Sequence, residues 1–140
     1  MGTVDGLEES GIKPEVVDIE TSQSPFLTTG KGVPHQVEGI GVGFELPFLE
    51  PTRHSEIMII DQQEAFEMCR QLAQLEGLLC GGSTGINVVG ALRLAARLGP
   101  KKRVITFGCD NGLKYLDGHI FNSLPVVFPP KSGPPDSMGN

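Results

Sequence analysis

Tryptophan is absent from this 140-residue chain, tyrosine occurs once and phenylalanine seven times, so its core has to be built mainly from aliphatic side chains. Basic residues are also few: 11 Lys and Arg stand against 17 Asp and Glu, a formal net charge of −6. That balance excludes a general nucleic-acid surface, because a phosphate backbone needs a cationic footprint. No apolar run approaches membrane-spanning length, and no basic segment followed by an apolar stretch opens the chain, so neither a membrane partner nor a secretory signal is expected. Met1-Gly2 has the form of an acylation start, but Gly6 stands where Ser or Thr is required. Cys69, Cys80 and Cys109 are odd in number and widely spaced, fitting neither a disulfide framework nor a zinc repeat. Reduced thiols and a cytoplasmic location are the expectation. His35, His54 and His119 show no ligand spacing, so no metal site is expected.

What is present fits one globular domain: 39% hydrophobic and 20% charged residues, with 19 glycines and 11 prolines marking many turns. Residues 1–13 show no convincing period and read as a flexible lead. Val16, Val17 and Ile19, entered through Pro14, predict a buried strand. Thr21 to Pro51 reads as a long loop, a length that is uncommon unless it carries function. Ile57 to Ile60 predicts a second strand. It runs into a helix capped by Asp61, with Glu64 completing a capping box and Gly77 ending the helix. A second helix, apolar on most sides, is expected from about Gly85 to Leu98, with Ser83 or Thr84 as its cap and Arg93 and Arg97 on a narrow exposed strip. Lys102 to Gly108 predicts a third, central strand. Tyr115-Leu116 falls in a short turn or helix, and 125–140 reads as a disordered tail. Strand, helix, turn, helix and strand in this order indicate α/β layers with a parallel sheet.

Three stretches could carry chemistry. Gly81-Gly82-Ser83-Thr84-Gly85 follows an apolar segment and opens a helix, where glycines allow close backbone approach and the first amides suit an anion or a polar ring atom. It is neither a Walker loop, a dinucleotide fingerprint nor a nucleophile elbow. Ser83 is either a plain cap or a ligand contact. Val37-Glu38-Gly39-Ile40-Gly41 is either a glycine-rich turn or a backbone surface beside a substrate. Cys109-Asp110-Asn111-Gly112 lies past a strand end, where open α/β sheets place ligands, and Asp110 is either a site residue or a capping residue.

Taken in order, VEGIG at 37–41, EAFEMCRQLAQLEGLLCGGSTGINVVGALRLAARLGP at 64–100, CDNGLKYL at 109–116 and IFN at 120–122 resemble the pyridoxal-phosphate enzymes of the cysteine synthase and cystathionine β-synthase family. The resemblance covers about two thirds of the chain and corresponds to the C-terminal portion of those enzymes. It implies part of a three-layer fold-type II domain at 14–124, a mostly parallel sheet flanked by helices. It also implies that the Ser83 hydroxyl meets the pyridine nitrogen, with Gly82 beside it and Asp110 in the motif behind that nitrogen. Gly39, Ile40 and Gly41 would line the substrate side. The reaction implied is β-replacement on an activated serine, giving cysteine or, in the other branch, cystathionine.

The same resemblance implies a lysine in an SxK-type segment and a glycine- and threonine-rich phosphate cradle. Lys13, Lys31, Lys101, Lys102, Lys114 and Lys131 sit in no such segment, and TSQSPF and TTGKG at 21–32 match the variable stretch before VEGIG. No catalytic residue is therefore assigned, and covalent binding of pyridoxal phosphate by this chain is not expected. The expected partners are another copy of the chain, a full-length family enzyme whose activity it alters, or a piece that brings the lysine.

Overall fold

The structure is a computed structural model and describes residues 2–50 and 52–122. Its elements run α1 (Gly2–Glu9), β1 (Val17–Thr21), α2 (Phe26–Thr29), β2 (Glu56–Ile60), α3 (Gln62–Leu75) and α4 (Gly82–Leu98), followed by a 3-10 turn at Leu113–Tyr115. The expected tail at 125–140 lies outside the described residues. β1 and β2 pair in parallel, from Val17 opposite Glu56 to Thr21 opposite Ile60. The α/β architecture with a small parallel sheet flanked by helices is thus present.

α3 starts where its cap chemistry requires. Asp61 takes an extended conformation and Oδ1 accepts from the Gln63 amide at 2.8 Å. Glu64 does not complete the capping box; it pairs with Arg93 on α4 instead. After the helix, Gly77 adopts a left-handed φ of 68°, and the Leu78 N–H turns back to the Leu72 carbonyl at 3.0 Å. Ala65, Phe66 and Cys69 form the buried face, whereas Leu75 is 76% exposed.

α4 packs on α3 and on the sheet because two of its residues lack a Cβ. A methyl group at Gly85 would strike the Ala65 carbonyl and the Cys69 sulfur, and one at Gly90 would strike Ile19 of β1. Around these approaches lie two apolar clusters. Ile60, Ala65, Ile86 and Val89 form the first, and Val37, Phe66, Cys69, Cys80, Tyr115, Ile120 and Phe121 the second.

Four expectations need correction. The segment expected to be flexible contains α1, whose helix buries no residue; it is held by Arg53, which pairs with Asp5 and Glu8, so no apolar period announces it. α4 begins at Gly82, not near Gly85, and neither hydroxyl caps it: Gly81 is the N-cap and its carbonyl takes the Thr84 and Gly85 amides. Its burial stops at Gly90, and Leu92 is 55% exposed. Lys102 to Gly108 is not a strand. A strand requires a neighbouring strand backbone, and 103–108 instead meets α4: Asn87 Nδ2 donates to the Phe107 carbonyl at 3.1 Å, and Thr106 Oγ1 donates to the backbone carbonyl of Asn87. Ile105 and Phe107 are left 65% and 56% exposed.

Candidate functional site

The chain folds so that the three motifs converge on the N-terminus of α4. Cys80 and Asn111 form an isolated antiparallel bridge, reinforced by Gly112 N–H to the Leu79 carbonyl at 2.9 Å. This bridge lays Asp110 against Gly81. A Cβ at Gly81 would collide with Asp110 Oδ1 and the Tyr115 ring, so only glycine fits there. Gly82 lies against Phe66 and Val37; a Cβ would stand 3.1 Å from Phe66 Cε1 and 3.5 Å from Val37 Cγ1. Val37 therefore brings the VEGIG loop to the opening of α4.

Ser83 sits in the first turn of α4 and is 8% exposed. Among the described residues its hydroxyl has no hydrogen-bond partner. The neighbouring Thr84 has one: its Oγ1 accepts from the Cys109 amide at 2.9 Å, tying the approach to Asp110 onto the helix. Asp110 Oδ2 accepts from Tyr115 OH at 2.8 Å and lies 3.2 Å from Lys114 Nζ, while Oδ1 is buried without a partner. Lys114 also reaches Glu38 Oε2 at 3.3 Å and lies 4.8 Å above the Tyr115 ring. Contacts with Tyr115, then Asp110 and Glu38, raise the Lys114 pKa above the ordinary lysine value. Burial raises that of Tyr115.

The loop from Gly32 to Gly43 lines an open cleft, a cavity of about 510 Å³ that faces solvent. Gly39 and Gly41 have φ values of 84° and 61°, which only glycine adopts without strain, and His35 packs directly on Gly41. Ile40 leans on both apolar clusters, joining the cavity wall to the core. Lys114, Tyr115, His35 and Ser24 were not singled out for a role here by sequence reasoning. Their contacts join segments far apart in the chain, and the one signal was the TSQSPF stretch containing Ser24.

A family model described as "Pyridoxal-phosphate dependent enzyme" matches residues 1–110. The chain belongs to that family. Among curated relatives, the cysteine synthase of Staphylococcus aureus is 35% identical over 108 residues, which are 77% of this chain and 35% of that protein. A probable cysteine synthase of Bacillus subtilis is 34% identical over 123 residues, 88% of this chain and 40% of that one. Among solved structures, an O-acetylserine-dependent cystathionine β-synthase from Helicobacter pylori is 36% identical with a TM-score of 0.76, over 86% of this chain and 39% of the other. O-acetylserine sulfhydrylase isoform 3 from Entamoeba histolytica is 26% identical with a TM-score of 0.82, over 91% of this chain and 38% of that one. This pyridoxal-phosphate family chain thus spans about two fifths or less of the length of these relatives. One expectation is corrected: the resemblance is not confined to a C-terminal portion covering two thirds of the chain. The family match includes residues 1–36, which carry none of the motifs above, and the structural match reaches 91% of the chain.

The residues present fit one side of the family's cofactor. A hydroxyl uncommitted among the described residues, in the first turn of a helix whose N-cap glycine leaves no room for a Cβ and whose first residue is packed tightly on Phe66, suits a polar ring atom. They do not fit covalent attachment. Lys114 is the lysine beside these motifs, and it is engaged by Glu38 and Asp110.

Proposed function

We propose that this chain provides the ring-nitrogen face and the substrate-side loop of a cysteine-synthase-like β-replacement site, and that it does not complete the reaction alone. The observation that carries this reading is Ser83 at the N-terminus of α4, a residue 8% exposed whose hydroxyl has no hydrogen-bond partner among the described residues. When bound, pyridoxal phosphate supplies an electron sink for loss of a β-substituent from an activated serine and its replacement by a thiol or sulfide. Ser83 would hold the pyridine nitrogen as a hydroxyl, which leaves that nitrogen largely unprotonated. Gly82 keeps the approach open. Asp110, bonded to Tyr115 and packed on Gly81, orients the turn and moves no proton. Gly39, Ile40 and Gly41 would face the substrate across the cavity. The phosphate cradle and the lysine would come from outside these 140 residues, and covering Ile105 and Phe107 is a reason for association. The free thiols of Cys69, Cys80 and Cys109 suit the reducing cytoplasm. No helix among the described residues is long and apolar enough to cross a membrane.

Titration of the purified protein with pyridoxal phosphate, followed by absorbance and equilibrium dialysis, tests this. Weak binding is expected, and Ser83→Ala should weaken it about fivefold, the worth of one net hydrogen bond. Equal affinity of wild type and Ser83→Ala removes the ring-nitrogen assignment. Borohydride treatment followed by mass spectrometry should find no modified lysine; a modified lysine overturns the claim that the chain cannot act alone. A second reading, a regulatory partner of a longer family enzyme, is favoured by the exposed Ile105 and Phe107. It predicts that Ser83→Ala leaves the effect on that enzyme intact.

A further inference from the structure

We infer that Ser24 is the positioning residue of the substrate-side loop, through a buried hydroxyl that clamps the loop's two limbs together; this assignment to a ligand loop rests on the function proposed above. Ser24 is 0% exposed and lies outside the three motifs that converge on α4. Its Oγ accepts from the Val33 amide at 3.0 Å, on the ascending limb, and donates to the Gly41 carbonyl at 3.5 Å, on the descending limb. At the same level the two limbs touch. A Cβ at Gly32 would stand 2.5 Å from the Gly43 Cα and 3.5 Å from Ser24 Oγ. The two limbs of the loop therefore meet in backbone contact, with one hydroxyl beside the contact bonded to a group from each limb.

Ser24 is itself held in place from below. It belongs to the turn that leaves β1, where its amide bonds to the Thr21 carbonyl at 3.0 Å. Ser22 Oγ and Gln23 Nε2 both donate to Asp61 Oδ2, and Gln23 Oε1 accepts from the Gln62 amide at 3.0 Å. Gln62 Oε1 in turn accepts from the Gln36 amide at 3.0 Å, reaching the loop a second time. The TSQS stretch is thus a clasp between the end of β1, the start of α3 and the glycine loop. With the Val33 amide held at 3.0 Å and the Gly41 carbonyl at 3.5 Å, Ser24 favours one arrangement of the loop's backbone groups. Such preorganisation lowers the ordering cost of binding.

The test compares Ser24→Ala with Ser22→Ala, a neighbour in the same turn that contacts Asp61 and not the loop. Amide hydrogen exchange by NMR should speed up about fivefold at Val33 and the other loop amides in Ser24→Ala. The amides of α3 and α4 should keep their wild-type rates, and Ser22→Ala should leave the loop unchanged. Unchanged exchange at Val33, or equal acceleration in the loop and both helices, overturns the inference. The second measurement is titration with O-acetyl-L-serine in the presence of pyridoxal phosphate. Ser24→Ala should weaken the response severalfold while leaving the affinity for pyridoxal phosphate alone as in wild type. A loosened loop with undiminished probe affinity shows that Ser24 positions nothing that the ligand uses, and overturns the inference. If the wild type itself binds neither compound, the proposed function fails, and the exchange comparison alone decides whether Ser24 sets the loop.

Discussion

Lys114 Nζ stands 3.3 Å from Glu38 Oε2 and 3.2 Å from Asp110 Oδ2, so a single ammonium links the glycine loop to the turn packed on Gly81. Both Lys114 and Glu38 are more than half exposed, so the link is in contact with water and dissolved salt. Glu38→Gln should leave the urea midpoint almost unmoved. It should accelerate amide exchange at Gly39 and Gly41 at low ionic strength, and the difference from wild type should vanish in high salt. A salt-independent effect would show that Glu38 acts by some other contact.

Gly85 and Gly90 face different kinds of neighbour, and their alanine variants should separate accordingly. At Gly85 the new methyl meets the Ala65 carbonyl, which cannot move without shifting α3. Gly85→Ala should cost about 1–3 kcal/mol in urea unfolding. At Gly90 the nearest atom is the Ile19 Cδ1 methyl, at the end of a side chain that can turn. Gly90→Ala should cost less, since alanine regains up to about 1 kcal/mol of helix propensity.

The three thiols should differ sharply in reactivity. Cys69 is fully buried, donates to the Gly81 carbonyl at 3.2 Å and has its pKa pushed up to about 12, chiefly by burial. Burial raises the pKa of Cys80 as well. Cys109 is exposed. A maleimide added to native protein at neutral pH should label Cys109 alone, with Cys69 and Cys80 modified only after denaturation. Rapid native labelling of Cys69 would mean that the α3–α4 contact opens readily.

Asp61 joins the cap of α3 to the clasp after β1. Gln23, and then the Gln63 amide, hold its carboxyl below the ordinary aspartate range. A depressed folded-state pKa means that the stabilisation is complete above the unfolded-state value of about 3.9 and is lost as pH falls through the folded one. Asp61→Ala should cost about 1 kcal/mol at pH 7, with Asp61→Asn retaining much of the cap. The difference between wild type and Asp61→Asn should shrink below about pH 4 in urea unfolding measured across pH. A difference that persists in acid would separate the cap from the charge.

The legible parts of this protein are those whose physics is local. Asp61 and Gly77 bound α3 because a cap and a left-handed turn need only their neighbours. The apolar residues Val16, Val17 and Ile19 and the run Ile57 to Ile60 marked the strands found at 17–21 and 56–60, and the glycine-serine turn did open a helix. The cap of α4 was misassigned because two adjacent hydroxyls and two glycines offer several starts of similar local energy. Packing chose Gly81, where Asp110 and Tyr115 leave no room for a Cβ. The segment 102–108 has strand composition but no strand neighbour, and composition cannot supply one. α1 left no trace in apolar periodicity because an arginine some 45 residues further on holds it.

The amino-acid sequence by itself determined the boundaries of α3, the family kinship carried by the glycine-serine and VEGIG motifs, and the absence from these 140 residues of the lysine segment that this chemistry requires. Only the tertiary structure decided that Val37 lies against Gly82, that Asp110 lies against Gly81, and that Ser24 bonds both limbs of the glycine loop. Each of these is a contact between residues distant in the chain, set by how closely helices, sheet and loops can approach, and no local pattern encodes that distance.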